Sequence, residues 1–183
     1  MALKATIFKA QLDVSDMDRN YYGSHALTIA RHPSETDERM MVRVLAYALN
    51  ASETLQFSRG ISADDEPDIW DRDLTGAILR WIEIGQPDGK RVRKACGKAD
   101  SVAVYTFGAQ ASQPWWQQWA SDFAKLRNVS VYRVPTEHVR ALARLADRTM
   151  QIACTIQDGN IWVSSGETTI ELALETLQEP QPR

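Results

Sequence analysis

Residues Ala77–Ile84 read AILRWIEI and run into Gly85-Gln-Pro-Asp88. Side chains of a strand alternate between its two faces. Leu79 and Trp81 therefore share one face, and Ile78, Ile82 and Ile84 the other. A strand that is apolar on both faces fits the middle of a sheet covered on both sides. Gly85 and Pro87 break the strand, and Asp88 is suited to cap a following helix. One residue does not match its neighbours: Glu83 lies on the face of Leu79 and Trp81.

The rest of the chain supplies partners for this strand. Lys4–Val14 and Ala26–Arg31 favour strand residues around a polar turn, Ser15–Asn20, and read as an antiparallel pair. A helix is expected from Ser34, which follows Pro33 and can act as its cap. Glu35, Asp37 and Glu38 crowd its first turn, and Met41, Leu45, Ala48 and Leu49 form its apolar stripe. Leu55–Ser58 reads as a short strand. After Asp88, a helix places Val92, Ala95, Cys96 and Ala99 on one face. Ser101–Phe107 and Val129–Val134 read as strands. Ser112–Leu126 reads as a Trp-rich helix, and Thr136–Asp147 as a helix capped by Thr136. Met150–Ile156 alternates, Asp158-Gly159 is a hairpin turn, and Ile161–Val163 pairs back. Ile170, Leu172 and Leu174 alternate in a last strand, leaving Gln178–Arg183 as a frayed tail. The fold class is mixed α/β: one sheet flanked by helices, with antiparallel strand additions at both termini. At 183 residues a single domain, 1–183, is expected.

Composition removes several classes. With 44% hydrophobic and 25% charged residues and a net charge of −3, this is the composition of a soluble globular protein. Cys96 and Cys154 form neither a disulfide framework nor a CxxC pair, and fit buried thiols in a reducing cytoplasm. The opening residues lack a signal-peptide core, and Met40–Leu49 is short and broken by Arg43, so no membrane association is expected. The net charge argues against an indiscriminate nucleic-acid coater. GxGxxG, HExxH and GxSxG are absent. Gly85–Arg91 falls one residue short of a phosphate loop and has Arg91 where a hydroxyl must meet magnesium. His25, His32 and His138 have no metal-ligand spacing.

What remains is a set of carboxylates and a basic helix. Asp64, Asp65, Glu66, Asp68, Asp71 and Asp73 lie within ten residues, either as a solvated acidic loop or as a divalent-cation site. Burying Glu83 without a partner costs several kcal/mol, about 2–7. It therefore reaches water at the strand end, pairs with a helix arginine, or binds metal. Glu38 precedes Met41 and Leu45 by three and seven residues, which puts it on the buried stripe pointing at the sheet. The helix after Glu83 carries Lys90, Arg91, Arg93, Lys94 and Lys98. Lys90, Lys94 and Lys98 recur every four residues opposite Val92 and Cys96, as a solvated face or a stripe that follows a phosphate backbone. Arg91 flanks the apolar face and is best placed to lean toward the strand end. Trp115, Trp116 and Trp119, at helical spacing with Phe123, read as core.

Several runs also resemble the YaeQ family: His32-Pro-Ser-Glu-Thr-Asp-Glu-Arg-Met40, Ala63-Asp-Asp-Glu-Pro67, Trp81-Ile-Glu-Ile-Gly85, Asp147-Arg-Thr-Met150 and Ile156-Gln-Asp-Gly159. The resemblance implies a restriction-endonuclease-like, PD-(D/E)xK-type core over about residues 34–107, with a β-meander over about 149–176. In that pattern a Pro-Asp pair precedes a strand ending in Glu-x-Lys, and here Pro67-Asp68 precedes Glu83 by fifteen residues. The lysine position holds Gly85, followed by Gln86, so the resemblance turns to Arg91 or Lys94 of the next helix for the cation. It implies a Mg²⁺-dependent (or Mn²⁺-dependent) phosphodiesterase acting on DNA or RNA. Asp68 and Glu83 would hold the metal, with Asp65 or Asp71 as alternatives to Asp68. Glu38 would position an outer-shell water, and a cation or Gln86 would orient the attacking one. Lys90, Arg91, Lys94 and Lys98 would hold the backbone. The alternative is a catalytically inactive module of the same fold that binds nucleic acid or a protein partner, for example in transcription regulation. A third is a small-ligand or interaction protein with a merely solvated acidic loop.

Overall fold

The first two strands form a longer hairpin than their composition suggests. β1 (Thr6–Asp16) pairs antiparallel with β2 (Tyr21–Arg31), and the turn shortens to residues 17–20 because Ser15 and Asp16 stay in the ladder opposite Tyr22 and Tyr21. The computed structural model describes residues 4–59 and 65–182. Its chain divides into two compact units, each built from two stretches of sequence. The first comprises Met1–Glu53 and Glu137–Ala173, the second Thr54–Thr136 and Leu174–Arg183.

The first unit is built on a five-stranded sheet. β8 (Thr149–Gln157), β9 (Asn160–Ser165) and β10 (Thr168–Leu172) form an antiparallel meander, turned at Asp158 and Gly159, both with positive φ. β8 lies parallel to β1, so the order is β10-β9-β8-β1-β2. The strand pairs expected as separate additions to one sheet are thus joined into a sheet of their own. α1 (Asp37–Leu49) and α4 (Thr136–Ala143) bring Met41, Val44, Leu45, Ala48 and Leu142 against Leu12, Ile152 and Val163, with a void of only about 10 Å³ between them. α4 ends four residues before Asp147, its expected end.

The start of α1 corrects two sequence expectations. Its cap is Thr36, whose Oγ1 accepts from Arg39 N at 3.1 Å, and not Ser34. Ser34 instead places its hydroxyl and its amide on Nδ1 of His32. The helix therefore begins at Asp37, and its buried run, Met40–Ala48, starts only after Glu38. Glu35, now outside the helix, is buried, with Oε2 bonded to Arg39 at 2.5 Å and Oε1 to Arg43 at 2.7 Å. Glu38, expected on the buried stripe, is exposed.

The second unit is built on a six-stranded sheet in the order β11-β7-β6-β5-β4-β3. β5 (Ile78–Ile84), β6 (Ala99–Thr106) and β7 (Val129–Arg133) run parallel, connected through α2 (Gly89–Lys98) and α3 (Ser112–Phe123). β3 (Leu55–Phe57) and β4 (Ile69–Arg72) extend one side antiparallel. β4 lies inside the acidic run, whose charges hide a strand from composition. β11 (Glu175–Gln178) closes the other side against β7. The frayed tail expected from Gln178 is therefore corrected. Gln178 donates to Phe123 O and Gln181 to Ala124 O, because the open edge of β7 offers a ladder that sequence polarity does not reveal.

The second half of β5, from Trp81 to Ile84, is buried on both faces, as its pattern predicts. Trp81 joins Val92, Ala95, Val102, Val104, Trp115 and Phe123 in a core with Trp116 and Trp119 packed against it. The Trp-rich helix is thus core, as expected. Gly89 passes so close to Trp119 that a Cβ would lie 2.1 Å from the ring, which explains glycine at the start of α2.

Candidate functional site

Topology brings Asp68 to Glu83. β4 is antiparallel to β5 with Ile69 opposite Ile82, so the residue before β4 lies beside the end of β5. Asp68 N donates to Ile82 O at 3.1 Å, and Asp68 Oδ2 accepts from Ile84 N at 2.8 Å. Of the three candidate first carboxylates, Asp68 is the one fastened to the end of β5. Asp71 accepts from Thr54 Oγ1 at 2.6 Å, and Asp65 faces Lys94 at 3.5 Å on an exposed surface. Asp64 lies outside the described residues.

Glu83 is 5% exposed, and one of its oxygens takes two donors. Oε1 accepts from Trp81 Nε1 and from Arg91 Nε, both at 2.7 Å. Trp81 sits two residues back on the same pleat face, so the spacing itself could have revealed this contact. Arg91 also donates through its terminal nitrogen to Glu66 O and lies 5.9 Å from the centre of the Trp81 ring. Burial pushes the Glu83 carboxyl above its ordinary value of 4.5, and the charge of Asp68 pushes the same way. Arg91 and the Trp81 bond pull it back only in part. The ion pair with a helix arginine, one of the readings the sequence left open for Glu83, is present.

Gln86 and Lys94 make their bonds away from this pair. Gln86 donates to Thr106 Oγ1 at 3.0 Å and to Phe107 O. Lys94 turns outward to Asp65. Glu38 belongs to the first unit, whereas Asp68 and Glu83 belong to the second. Gly85 has φ +102, so the backbone at the lysine position of the nuclease pattern is one that a side-chain-bearing residue adopts only under strain.

A divalent cation fits this set poorly. Hard cations take six or more oxygens, several of them anionic. Here Asp68 Oδ2 and Glu83 Oε1 are both occupied, and a guanidinium stands on Glu83. Among the described residues no group of three or more His, Cys, Asp or Glu side chains could hold a metal ion.

On the far side of α2 the charges face outward. Asp88 caps the helix through Lys90 N at 2.8 Å. Lys90, Arg93, Lys94 and Lys98 are exposed, and Val92 and Ala95 are buried. Both thiols are pushed up by burial, Cys96 to about 11 and Cys154 to about 12, which leaves them poor nucleophiles. No helix among the described residues is long and apolar enough to cross a membrane.

A family model described as YaeQ protein matches residues 1–174. The chain belongs to the YaeQ family. It is 49% identical over 180 residues to the YaeQ protein of Salmonella typhi and 48% to that of Escherichia coli K12, in each case over 98% of this chain and 99% of the relative. The crystal structure of YaeQ from Xanthomonas axonopodis pv. citri matches with a TM-score of 0.91 and 44% identity, over 97% of this chain and 99% of that one. The YaeQ crystal structure from Pseudomonas syringae matches with a TM-score of 0.91 and 35% identity, over 96% and 97% of the two chains. The YaeQ resemblance read from the sequence is thereby established over nearly the whole chain.

Proposed function

We propose that this YaeQ-family chain is a nuclease-like module that binds the phosphodiester backbone of nucleic acid through α2 without hydrolysing it. The order α1, β3, β4, β5, α2, β6 supports a PD-(D/E)xK-type ancestry, since that core runs helix, three strands, helix, strand. The observation that carries the binding reading is the outward face of α2. It presents four exposed cations, with no acidic residue on the helix, in a protein whose net charge is negative. Such a face follows phosphates by charge and does not read bases. Two further features support the absence of turnover: Gly85 at the lysine position and Arg91 on Glu83.

A second reading, Mg²⁺-dependent hydrolysis, is favoured by one observation: Asp68 and Glu83 meet at the end of a buried strand, as paired catalytic carboxylates do.

One experiment separates them. Fluorescence anisotropy with labelled single- and double-stranded DNA and RNA should show salt-dependent binding by the wild type. Lys90→Glu with Lys94→Glu should weaken it uniformly across sequences and lower the slope of log K against log salt by about 2. Unchanged affinity in the double variant, or no binding at low salt, defeats the proposal. Cleavage of the same oligonucleotides on adding Mg²⁺ or Mn²⁺, lost in Glu83→Gln, establishes the second reading instead.

A further inference from the structure

One side chain is central to the misfit between the Asp68–Glu83 pair and a divalent cation. We infer that Arg91 is a resident counter-ion that closes this pair to metal, and that neutralising Arg91 opens a divalent-cation site there. The inference rests on neither functional reading above, because it concerns the metal alone.

The guanidinium is held from three directions. Nε meets Glu83 Oε1 at 2.7 Å, a terminal nitrogen meets the Glu66 carbonyl, and the Trp81 ring lies 5.9 Å away. A planar fork fixed in this way presents its charge permanently to Glu83. A metal on Oε1 would have to displace both the guanidinium and the Trp81 N–H, or sit beside a positive charge. Yet Asp68 adds a second negative charge beside Glu83. Without Arg91, Glu83 and Asp68 stand beside each other with no guanidinium on Glu83 Oε1. The remedies then open to them are a proton or a hard cation. Glu83 Oε2, which accepts no hydrogen bond among the described residues, supplies an oxygen for that cation.

The test uses the full chain and Mn²⁺ alone, with no nucleic acid present. Wild type, Arg91→Met, Arg91→Gln, Glu83→Gln and the Arg91→Gln/Glu83→Gln double variant are titrated calorimetrically at neutral pH. Arg91→Gln keeps a donor for Glu83 while removing the charge, so it stands in if Arg91→Met does not fold. Each neutral variant should bind one Mn²⁺ at least about tenfold more tightly than the wild type. The gain should vanish in the double variant. Terbium luminescence sensitised by Trp81 should rise in the same variants and no others. Glu83-dependent Mn²⁺ binding by the wild type overturns the inference. So does a neutral variant that binds no more tightly, or a gain that survives Glu83→Gln.

Discussion

A buried carboxylate survives only with donors, and the chain solves this twice with arginine. Glu35 is held by Arg39 and Arg43 in the first unit, and Glu83 by Arg91 and the Trp81 indole in the second. The two differ in balance. Two guanidiniums face Glu35, while one faces Glu83, with the charge of Asp68 at its side. Folding therefore raises the Glu83 pKa, so the folded protein keeps a proton that the unfolded chain releases near pH 4.5. Its stabilising contribution is complete below that pH and is lost as pH climbs through the raised folded value. Urea denaturation across that window should show stability falling with rising pH, and Glu83→Gln should flatten that part of the profile. An unchanged slope in the variant would mean that another group titrates. The sequence announced Glu83, because a lone acid in AILRWIEI is conspicuous. It misjudged Glu38 and Glu35, because the cap is Thr36 and not Ser34: Glu35 falls before the helix and folds in against Arg39 and Arg43, while Glu38 stays in the exposed first turn.

At the level of elements, periodicity recovered nearly every helix and strand that buries a face. It failed where a strand is short and polar. β4 and β11 are four residues each, and both exist through neighbours whose backbone groups need partners. β11 shields an edge. Without it, β7 would present Val129–Arg133 to solvent as an unpaired strand, the arrangement that natural sheets avoid. Removing residues 174–183 should lower the thermal midpoint and make the protein associate at micromolar concentration, as read by scanning fluorimetry and light scattering. A truncated protein as stable and as monodisperse as the parent would show that the edge needs no cover. The same element logic makes α2 two-sided: Arg91 turns toward the sheet, while Lys90 and Lys94 face solvent.

For the whole molecule, the expectation of one sheet gave way to two, and the reason is pairing. Apolar alternation shows that a segment is a strand but not which strand lies beside it. β1 and β8 lie side by side although most of the chain separates them, and no local signal announces that parallel contact. The arrangement also orders folding. Nearly all of the second unit comes from Thr54–Thr136, whereas the first unit requires Glu137–Ala173 to return to Met1–Glu53. Contacts distant in sequence form slowly, because loop closure must precede them. In pulsed hydrogen exchange during refolding, amides of β5 and β6 should be protected before those of β1 and β8. The reverse order would refute this reading of the topology. The same interleaving makes the molecule hard to cut apart. A protease that nicks the chain between Glu53 and Thr54 frees no domain. The severed N-terminal piece stays zipped along β8, and the two fragments should travel through a sizing column as one species until detergent parts them.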